Sequence, residues 1–247
     1  MEITLTSFGQ TDVGLRRLKN EDSFLVDDEL KLFVVADGMG GHKGGDLASS
    51  MAVDVLRSSL SHNITKNPSM FSPREALMDG YSQASLQIYN KSHLDQPELQ
   101  GMGTTLVSAF YFSGSIYIGN VGDSRAYLVR DNKMWQMTED HSLLNEHIRA
   151  GFIRDVDVSQ FQAKNVITRS VGFERDALCD VIERRVSPGD RYVMCSDGLC
   201  GLVKPERLQA LCQIQDLHEA TSKCIEEAKK NGGDDNITVV IVDASGR

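Results

Sequence analysis

Several acidic residues in this sequence stand beside glycine at the ends of apolar segments. Asp37-Gly38 follows the run from Leu32 to Ala36, and Asp197-Gly198 follows the run from Tyr192 to Ser196. An apolar strand fixes a carboxylate at its end, and glycine lets the backbone come close to whatever the carboxylate binds. Asp-Gly is also a frequent hairpin turn, but here more small residues follow in place of an immediate return strand. The remaining members of this set are Glu21 and Asp22 after Asn20, Asp123 after Gly122, and Asp235 after Gly232-Gly233-Asp234.

If these strand ends meet, several like charges share one cleft and cannot all stay ionised without compensation. Divalent cations are the natural compensation, and a set of carboxylates, carbonyls and waters suits Mg²⁺ or Mn²⁺ rather than zinc. His141 and His147 do not share one helical face and match no zinc signature. The stretch 38–43 lacks the last glycine of a dinucleotide fingerprint, and the sequence contains no Walker lysine-serine pair and no Gly-x-Ser-x-Gly elbow.

One basic residue, Arg17, precedes the first acidic pair by a few positions. A guanidinium beside metal-bound carboxylates is suited to bind a phosphate through two parallel hydrogen bonds. A solvated basic patch made of Arg16, Arg17 and Lys19 would give the same local sequence. The residues alone leave both interpretations open.

Composition limits the class of protein. The formal net charge is −9 at pH 7, which argues against a nucleic-acid binder that neutralises phosphates with a basic patch. The five cysteines form no Cys-x-x-Cys pair, and we expect them to be reduced and mostly buried. No apolar stretch is long enough to span a membrane and the N-terminus lacks a signal-peptide pattern, so we expect a cytoplasmic protein without a membrane partner.

The elements that would position these residues do not alternate as β-α-β units. Ser72-Pro73-Arg74-Glu75 is a capping box with proline at the first helical position, and it predicts a helix start. The overall order favours mainly antiparallel sheets with helices packed outside them, in one domain without a linker or a repeat. The patterns predict a hairpin of strands at 22–26 and 30–36, helices at 46–60, from 73, and at 142–150, 205–211 and 217–229, and strands at 104–112, 115–121, 125–129, 133–137, 180–186 and 237–242.

Six motifs along the chain resemble those of one family. They are Arg17-x-x-Asn20-Glu21-Asp22, Asp37-Gly38-Met39-Gly40-Gly41-His42, Gly103-Thr104-Thr105, Gly122-Asp123-Ser124-Arg125, Ser196-Asp197-Gly198 and Asp235-Asn236. In this order they resemble the metal-dependent protein serine/threonine phosphatases of the PP2C (PPM) family, in their bacterial form. The resemblance covers nearly the whole chain. It implies an α+β fold, a four-layer α/β/β/α sandwich with two central antiparallel sheets flanked by helices, as a single domain over residues 1–247.

The resemblance also implies a two-metal centre, loaded with Mn²⁺ or Mg²⁺, at one end of the sheets. It implies that Asp37 bridges the two cations and that the carbonyl of Gly38 is a further ligand. By the same resemblance Asp197 and Asp235 hold the first metal, Glu21 and Asp22 serve the second directly or through waters, Asp123 with Asp197 holds a weaker third metal, and Arg17 binds the substrate phosphate.

The implied reaction is hydrolysis of phosphoserine and phosphothreonine in proteins by a water that the two cations activate, without a phospho-enzyme. The donor of a proton to the leaving oxygen stays open between His42 and a water on the third cation. Met39 stands where animal members of the family carry a histidine. The implied partners are phosphorylated proteins, including a serine/threonine kinase or its targets, and a monomer is expected.

Residues 152–165 show no clear period and fall where the family has its flap. Phe161 to Asn165 differs from the His-Pro and Arg-Asn pattern that is common among bacterial members, which bears on substrate preference rather than on catalysis. Two other functions compete: a catalytically silent binding module on the same fold, and a metal-dependent phosphodiesterase. A silent binding module would have lost metal-binding carboxylates, and none is lost. A phosphodiesterase acting on nucleic acid would need a basic, aromatic-lined strand, which this sequence lacks.

Overall fold

The structure is a computed structural model that describes residues 3–40, 44–66, 68–153, 163 and 166–246. It contains two antiparallel sheets in contact with helices. The strands are β1 (Ile3–Asp12), β2 (Asp22–Asp27), β3 (Leu32–Met39), β4 (Gly103–Thr104), β5 (Leu106–Phe112), β6 (Ser115–Val121), β7 (Arg125–Arg130), β8 (Lys133–Gln136), β9 (Asp180–Arg185), β10 (Arg191–Cys195) and β11 (Ile237–Gly246). The α-helices are α1 (Gly45–Lys66), α2 (Pro73–Asn90), α3 (Leu143–Arg149), α4 (Asp197–Cys200), α5 (Pro205–Leu211) and α6 (Leu217–Lys230).

The first sheet has the strand order β1-β11-β10-β7-β8, and the second has the order β2-β3-β5-β6-β9, with β4 paired to the end of β3. Each sheet therefore combines strands that are distant in sequence. The N-terminal strand β1 pairs antiparallel with the C-terminal strand β11 over its full length. This pairing brings the two ends of the described chain into the same sheet.

Alternation along the strands divides the apolar residues among three cores. On β3, Leu32 and Val34 pack against α1 and α2, whereas Phe33 and Val35 face the other sheet. On β10 the same alternation sends Val193 towards α5 and α6. Because successive side chains of a strand point to opposite faces, both sheets are buried on two sides. The predicted four-layer α/β/β/α sandwich is confirmed.

The helix starts follow the capping rules. Ser72 caps α2, because its hydroxyl accepts a hydrogen bond from the backbone N–H of Glu75 at 3.4 Å, and proline occupies the first turn. Asp216 caps α6 in the same way through the N–H of Glu219 at 2.7 Å. No helix in the described part of the chain is long and apolar enough to cross a bilayer.

The predicted elements were found, with three differences that bear on the site. The strand predicted at 104–112 is two strands, β4 and β5, and β4 pairs with the end of β3. Strand β3 continues through Asp37 and Gly38 to Met39, because Gly38 and Met39 pair with Thr104 and Gly103. A short helix, α4, begins directly at Asp197, where the sequence suggested only a strand end. The prediction of one domain with a flap at 152–165 stays a prediction, since residues 154–162, 164 and 165 lie outside the described residues.

Candidate metal centre

Two of the predicted ligands face each other across one strand pair. The Cα of Asp22, at the start of β2, is the direct partner of the Cα of Asp37, near the end of β3. Asp37 has the same parity along β3 as Phe33 and Val35, which point between the sheets. Both carboxylates therefore lie at one end of the sandwich, and Asp37 points towards the gap between the two sheets.

The first sheet supplies the other two main carboxylates at the same end. Strands β10 and β11 pair antiparallel with Cys195 opposite Val239, so Asp197, just after β10, lies beside Asp235, just before β11. Gly198 allows this approach, because a Cβ atom there would lie 1.9 Å from the carbonyl oxygen of Asn236. Only glycine fits at this position without moving the Asp235 segment.

Hydroxyl groups hold one oxygen of Asp22. Ser196 Oγ and Thr238 Oγ1 donate hydrogen bonds to Asp22 Oδ2 at 2.8 and 2.6 Å. Ser196 precedes α4 and Thr238 lies on β11, so these bonds cross from the first sheet to the second. They fix the orientation of the carboxylate and leave Oδ1 facing away from both donors.

A glycine and an asparagine complete the junction between the sheets. A Cβ atom on Gly38 would lie 2.1 Å from the Gly45 carbonyl oxygen and 2.5 Å from that of Glu21, so this tight crossing requires glycine. The N–H of Gly38 donates to the carbonyl of Glu21 at 3.2 Å. The N–H of Glu21 in turn donates to Asn236 Oδ1 at 2.8 Å. Glu21, Gly38 and Asn236 are thereby locked next to the carboxylates.

The carboxylates raise one another's pKa. Burial raises the pKa of Asp22 to about 7, against the hydrogen bonds from Thr238 and Ser196 that lower it, and Asp197 and Asp235 add repulsion. Burial also raises the pKa of Asp37 well above its ordinary value, with further repulsion from Asp22 and Asp197. The pKa of Asp197 is raised by burial and by Asp235. A cluster of this kind favours either protons or cations.

Asp123 belongs to the same electrostatic cluster. Burial raises its pKa to about 7, and repulsion from Asp197 and Asp140 acts in the same direction. The segment before it is held by a buried histidine: the N–H of Gly122 donates to His141 Nδ1 at 3.1 Å, and His141 Nε2 lies 2.9 Å from Asp180 Oδ2. These partners place the ring proton on Nε2, so His141 positions the turn that carries Asp123.

Buried carboxylate oxygens without a hydrogen-bond donor show whether the cleft suits cations. Among the described residues, Asp22 Oδ1, Asp123 Oδ1 and Asp197 Oδ1 are buried without a hydrogen-bond donor. Buried oxygens without a donor are costly unless something positive binds them. Hard carboxylate oxygens are the ligands of Mn²⁺ and Mg²⁺. The residues present therefore fit the implied cations.

The cleft is not a closed cage. Within residues 3–40, 44–66, 68–153, 163 and 166–246, no three His, Cys, Asp or Glu side chains are arranged to hold a metal ion by themselves. Magnesium-type cations keep several waters and take only one or two carboxylates each. A cation bound to these carboxylates would therefore complete its shell with water.

Arg17 reaches the cleft. Its guanidinium donates to Asp235 Oδ2 at 2.6 Å while the side chain stays about half exposed. Arg16 and Lys19 point to other acidic residues, Asp234 at 3.7 Å and Asp46 at 2.7 Å. Of the three basic side chains, Arg17 is thus the one held against a predicted metal ligand. This position places a guanidinium within the carboxylate cleft, where it can meet an anion.

The structure brings together Glu21, Asp22, Asp37, Gly38, Asp123, Asp197, Asp235 and Arg17. Four supporting residues received no role from the sequence: Ser196 and Asn236, which belong to two of the motifs, and Thr238 and His141, which stand close to acidic residues. Their types and positions along the chain do not show which groups they contact. Gly41 and His42 lie outside the described residues, so the role of His42 as a proton donor stays a prediction.

Comparisons with known proteins show the family to which this chain belongs. The family described as protein phosphatase 2C matches residues 16–234. The serine/threonine phosphatase stp of Listeria innocua is 36% identical over 242 residues, covering 95% of this chain and 94% of that protein. The crystal structure of the catalytic domain of the serine/threonine protein phosphatase PstP in complex with two manganese ions is similar with a TM-score of 0.87 and 30% identity, covering 99% of this chain and 100% of that one. The Mycobacterium smegmatis PPM phosphatase MsPP, in complex with cacodylate, has a TM-score of 0.82 and 32% identity over 98% of both chains.

Proposed function

Because this chain belongs to the protein phosphatase 2C family, we propose that the carboxylate cleft between its two sheets is where it hydrolyses phosphoserine and phosphothreonine. The chain is a metal-dependent protein serine/threonine phosphatase, and phosphorylated proteins are its substrates. Three orphaned, buried carboxylate oxygens at the end of the sheets carry the assignment of the cleft.

Each residue of the cleft receives a role. We assign Asp37, which feels repulsion from four other carboxylates, as the residue that would be shared by two cations. The Gly38 carbonyl would be a further ligand. Asp197 and Asp235 would hold the first cation, and Glu21 and Asp22 would serve the second. Asp123 would share a weaker third cation with Asp197, whose charge acts on it directly.

The cations, when bound, supply a water activated for attack on phosphorus and positive charge for the phosphoryl oxygens. The chain's own residues orient this chemistry. Ser196 and Thr238 keep Asp22 Oδ2 occupied, so that only Oδ1 is free to serve a cation. Arg17, now paired with Asp235, would bind the substrate phosphate, because a phosphate accepts two parallel hydrogen bonds from a guanidinium. The proton donor, either His42 or a water on the third cation, stays a prediction.

The finer statements on partners and location are proposals too. A serine/threonine kinase or its targets are the expected phosphoproteins, the chain is expected to act as a monomer, and the cytoplasm is its expected location. The acidic charge of −9 supports neither a nucleic-acid substrate nor binding to an anionic membrane.

The test is hydrolysis of a phosphothreonine peptide by the purified protein with Mn²⁺ and with excess chelator. Activity should require the cation, and Asp37→Asn should remove nearly all of it, because one carboxylate serves both metals. Asp54→Asn, at an exposed position of α1, is the matched control and should keep full activity. Full activity in chelator would contradict the proposal, and so would an active Asp37→Asn variant. Hydrolysis of a phosphodiester but not of the peptide would favour the phosphodiesterase.

A further inference from the structure

A second cavity lies beside the metal centre and has no role in the chemistry described above. Its volume is about 510 Å³, and its lining includes the apolar side chains of Met39, Val121, Ile167, Phe173, Ala177 and Leu178. Met39 is the last residue of β3 and stands two positions after Asp37. The cavity therefore opens next to the strand end that carries the shared metal ligand.

The outer rim of this cavity is apolar and exposed. Phe173 is 61% exposed and Leu178 is 73% exposed, although side chains of this size are usually covered. Grouped exposed apolar side chains next to a cleft mark binding surfaces. Charged side chains of both signs also line the cavity: Glu174, Asp176 and Arg169, whose guanidinium lies 3.4 Å from Asp180 Oδ1.

The wall of the cavity is fixed relative to the metal centre. Thr104 and Val171 exchange two backbone hydrogen bonds, at 3.0 and 2.8 Å. The same Thr104 donates its hydroxyl to the carbonyl of Asp37 at 2.9 Å. On the far side of this segment the buried hydroxyl of Ser85 accepts from the N–H of Gly172 at 2.9 Å and donates to the carbonyl of Glu174 at 2.8 Å. A preformed wall that is hydrogen-bonded to the Asp37 backbone is suited to position a substrate.

We propose that this cavity is a specificity subsite that takes a large apolar side chain flanking the phosphorylated residue of a protein substrate. This inference rests on the proposed function, which places the phosphate in the carboxylate cleft. In this proposal the polypeptide on one side of the phosphorylated residue runs across the rim formed by Phe173 and Leu178. The apolar lining then favours leucine or phenylalanine over glycine, and it disfavours aspartate, because a charged side chain loses its hydration against apolar groups.

The first experiment uses the wild-type protein with Mn²⁺ and a series of phosphothreonine peptides. Each flanking position from three before to three after the phosphothreonine carries leucine, glycine or aspartate in turn. Apolar contacts in a pocket discriminate by roughly 10- to 200-fold, so leucine at one position should raise kcat/KM about tenfold or more over glycine, chiefly through KM. Equal kcat/KM for leucine and glycine at every position would overturn the subsite.

The second experiment uses variants at the exposed rim, where substitution does not disturb the core. Leu178→Ser and Phe173→Ser should lower kcat/KM for the preferred leucine peptide about tenfold, towards that of the glycine peptide. Neither should change hydrolysis of p-nitrophenyl phosphate, which has no flanking residue. Leu94→Ser is the matched control, since Leu94 is 68% exposed and does not line the cavity. It should leave every rate unchanged.

The outcomes separate the subsite from the function on which it rests. If wild-type protein hydrolyses neither peptides nor p-nitrophenyl phosphate, the proposed function fails and the subsite fails with it. If it hydrolyses all peptides at one rate, only the subsite fails. A parallel loss of p-nitrophenyl phosphate activity in Leu178→Ser would also overturn the subsite, because the rim would then act on the centre itself.

Discussion

The two oxygens of Asp22 have different environments, and this difference explains how a buried carboxylate can serve a cation. Oδ2 accepts from Ser196 and Thr238, while Oδ1 has no donor among the described residues. A hydrogen-bonded oxygen is held in place, and a free buried oxygen attracts a cation. Asp22 is thus oriented before any cation arrives. Thr238 and Ser196 stand next to acidic motifs in the sequence, yet only the paired strands show that they reach Asp22.

At the same scale, Arg17 is predicted to act on the phosphate and not on the metals. A hydrogen bond to a charged group contributes roughly 1.5–3 kcal/mol. Arg17→Ala should therefore reduce kcat/KM by roughly ten- to a hundredfold, mainly by raising KM. The Mn²⁺ concentration for half-maximal activity should not rise, because removing the guanidinium frees Asp235 from its ion pair.

Arg16→Ala is the matched control for this prediction. Arg16 is exposed and lies 3.7 Å from Asp234, and exposed pairs of this kind contribute about 0–1 kcal/mol. Its kinetics should stay close to wild type. If Arg17→Ala and Arg16→Ala have equal kinetics, Arg17 does not bind the phosphate and belongs to the solvated basic patch.

At the scale of elements, the site depends on strands that end close to one another. The sequence predicted β6 and α5 with their observed bounds, because their apolar periods and flanking turn residues are clear. It placed the end of β3 too early, since the pairing partner of Gly38 and Met39 lies more than sixty residues away. It missed α4, since four residues are too few for a helical period. Contacts between distant segments leave no local pattern.

Gly198 connects α4 to the segment before β11, and replacing it should damage the metal centre. A Cβ atom there would lie 1.9 Å from the Asn236 carbonyl, so Gly198→Ala must push Asp197 and Asp235 apart. Overpacking of this kind costs about 1–3 kcal/mol. We expect a lower melting temperature and the loss of at least one tightly bound Mn²⁺ by calorimetry.

Gly114→Ala provides the comparison for that variant. Gly114 has a φ of +85° and nothing within 4 Å of a Cβ atom, so alanine there strains the backbone but meets no neighbour. This variant should also melt earlier, yet bind the same number of Mn²⁺ ions as wild type. A normal metal count in Gly198→Ala would show that the Asp235 segment can move aside, and that the close approach does not define the site.

At the scale of the whole molecule, the carboxylate cluster makes folding, protons and metals interdependent. The pKa values of Asp22 and Asp123 are raised from 3.8 to about 7 in the folded state, and those of Asp37 and Asp197 are raised as well. Between these two values the folded state therefore binds more protons than the unfolded state. The stabilisation of the folded state by these extra protons is complete below the ordinary carboxyl pKa, and it is lost as the pH rises through 7. The net charge of −9 adds self-repulsion of the compact state.

We therefore predict that the metal-free protein loses stability between pH 5 and pH 8, and that Mn²⁺ reverses the loss. Cations need ionised carboxylates, so their affinity grows as the pH rises. At a hundred times Kd a ligand of the folded state contributes about 2.7 kcal/mol, or roughly 5–10 °C in Tm for a chain of this size. Scanning calorimetry at each pH, with and without Mn²⁺, should give a larger Mn²⁺-induced rise in Tm at pH 8 than at pH 6.

Two variants and a salt control test this prediction. Asp22→Asn should flatten the dependence of the metal-free Tm on pH and reduce the Mn²⁺-induced rise in Tm, whereas Asp54→Asn should change neither. High salt screens surface repulsion but not buried charge, so a metal-free profile that becomes flat in salt would assign the pH dependence to the net charge instead.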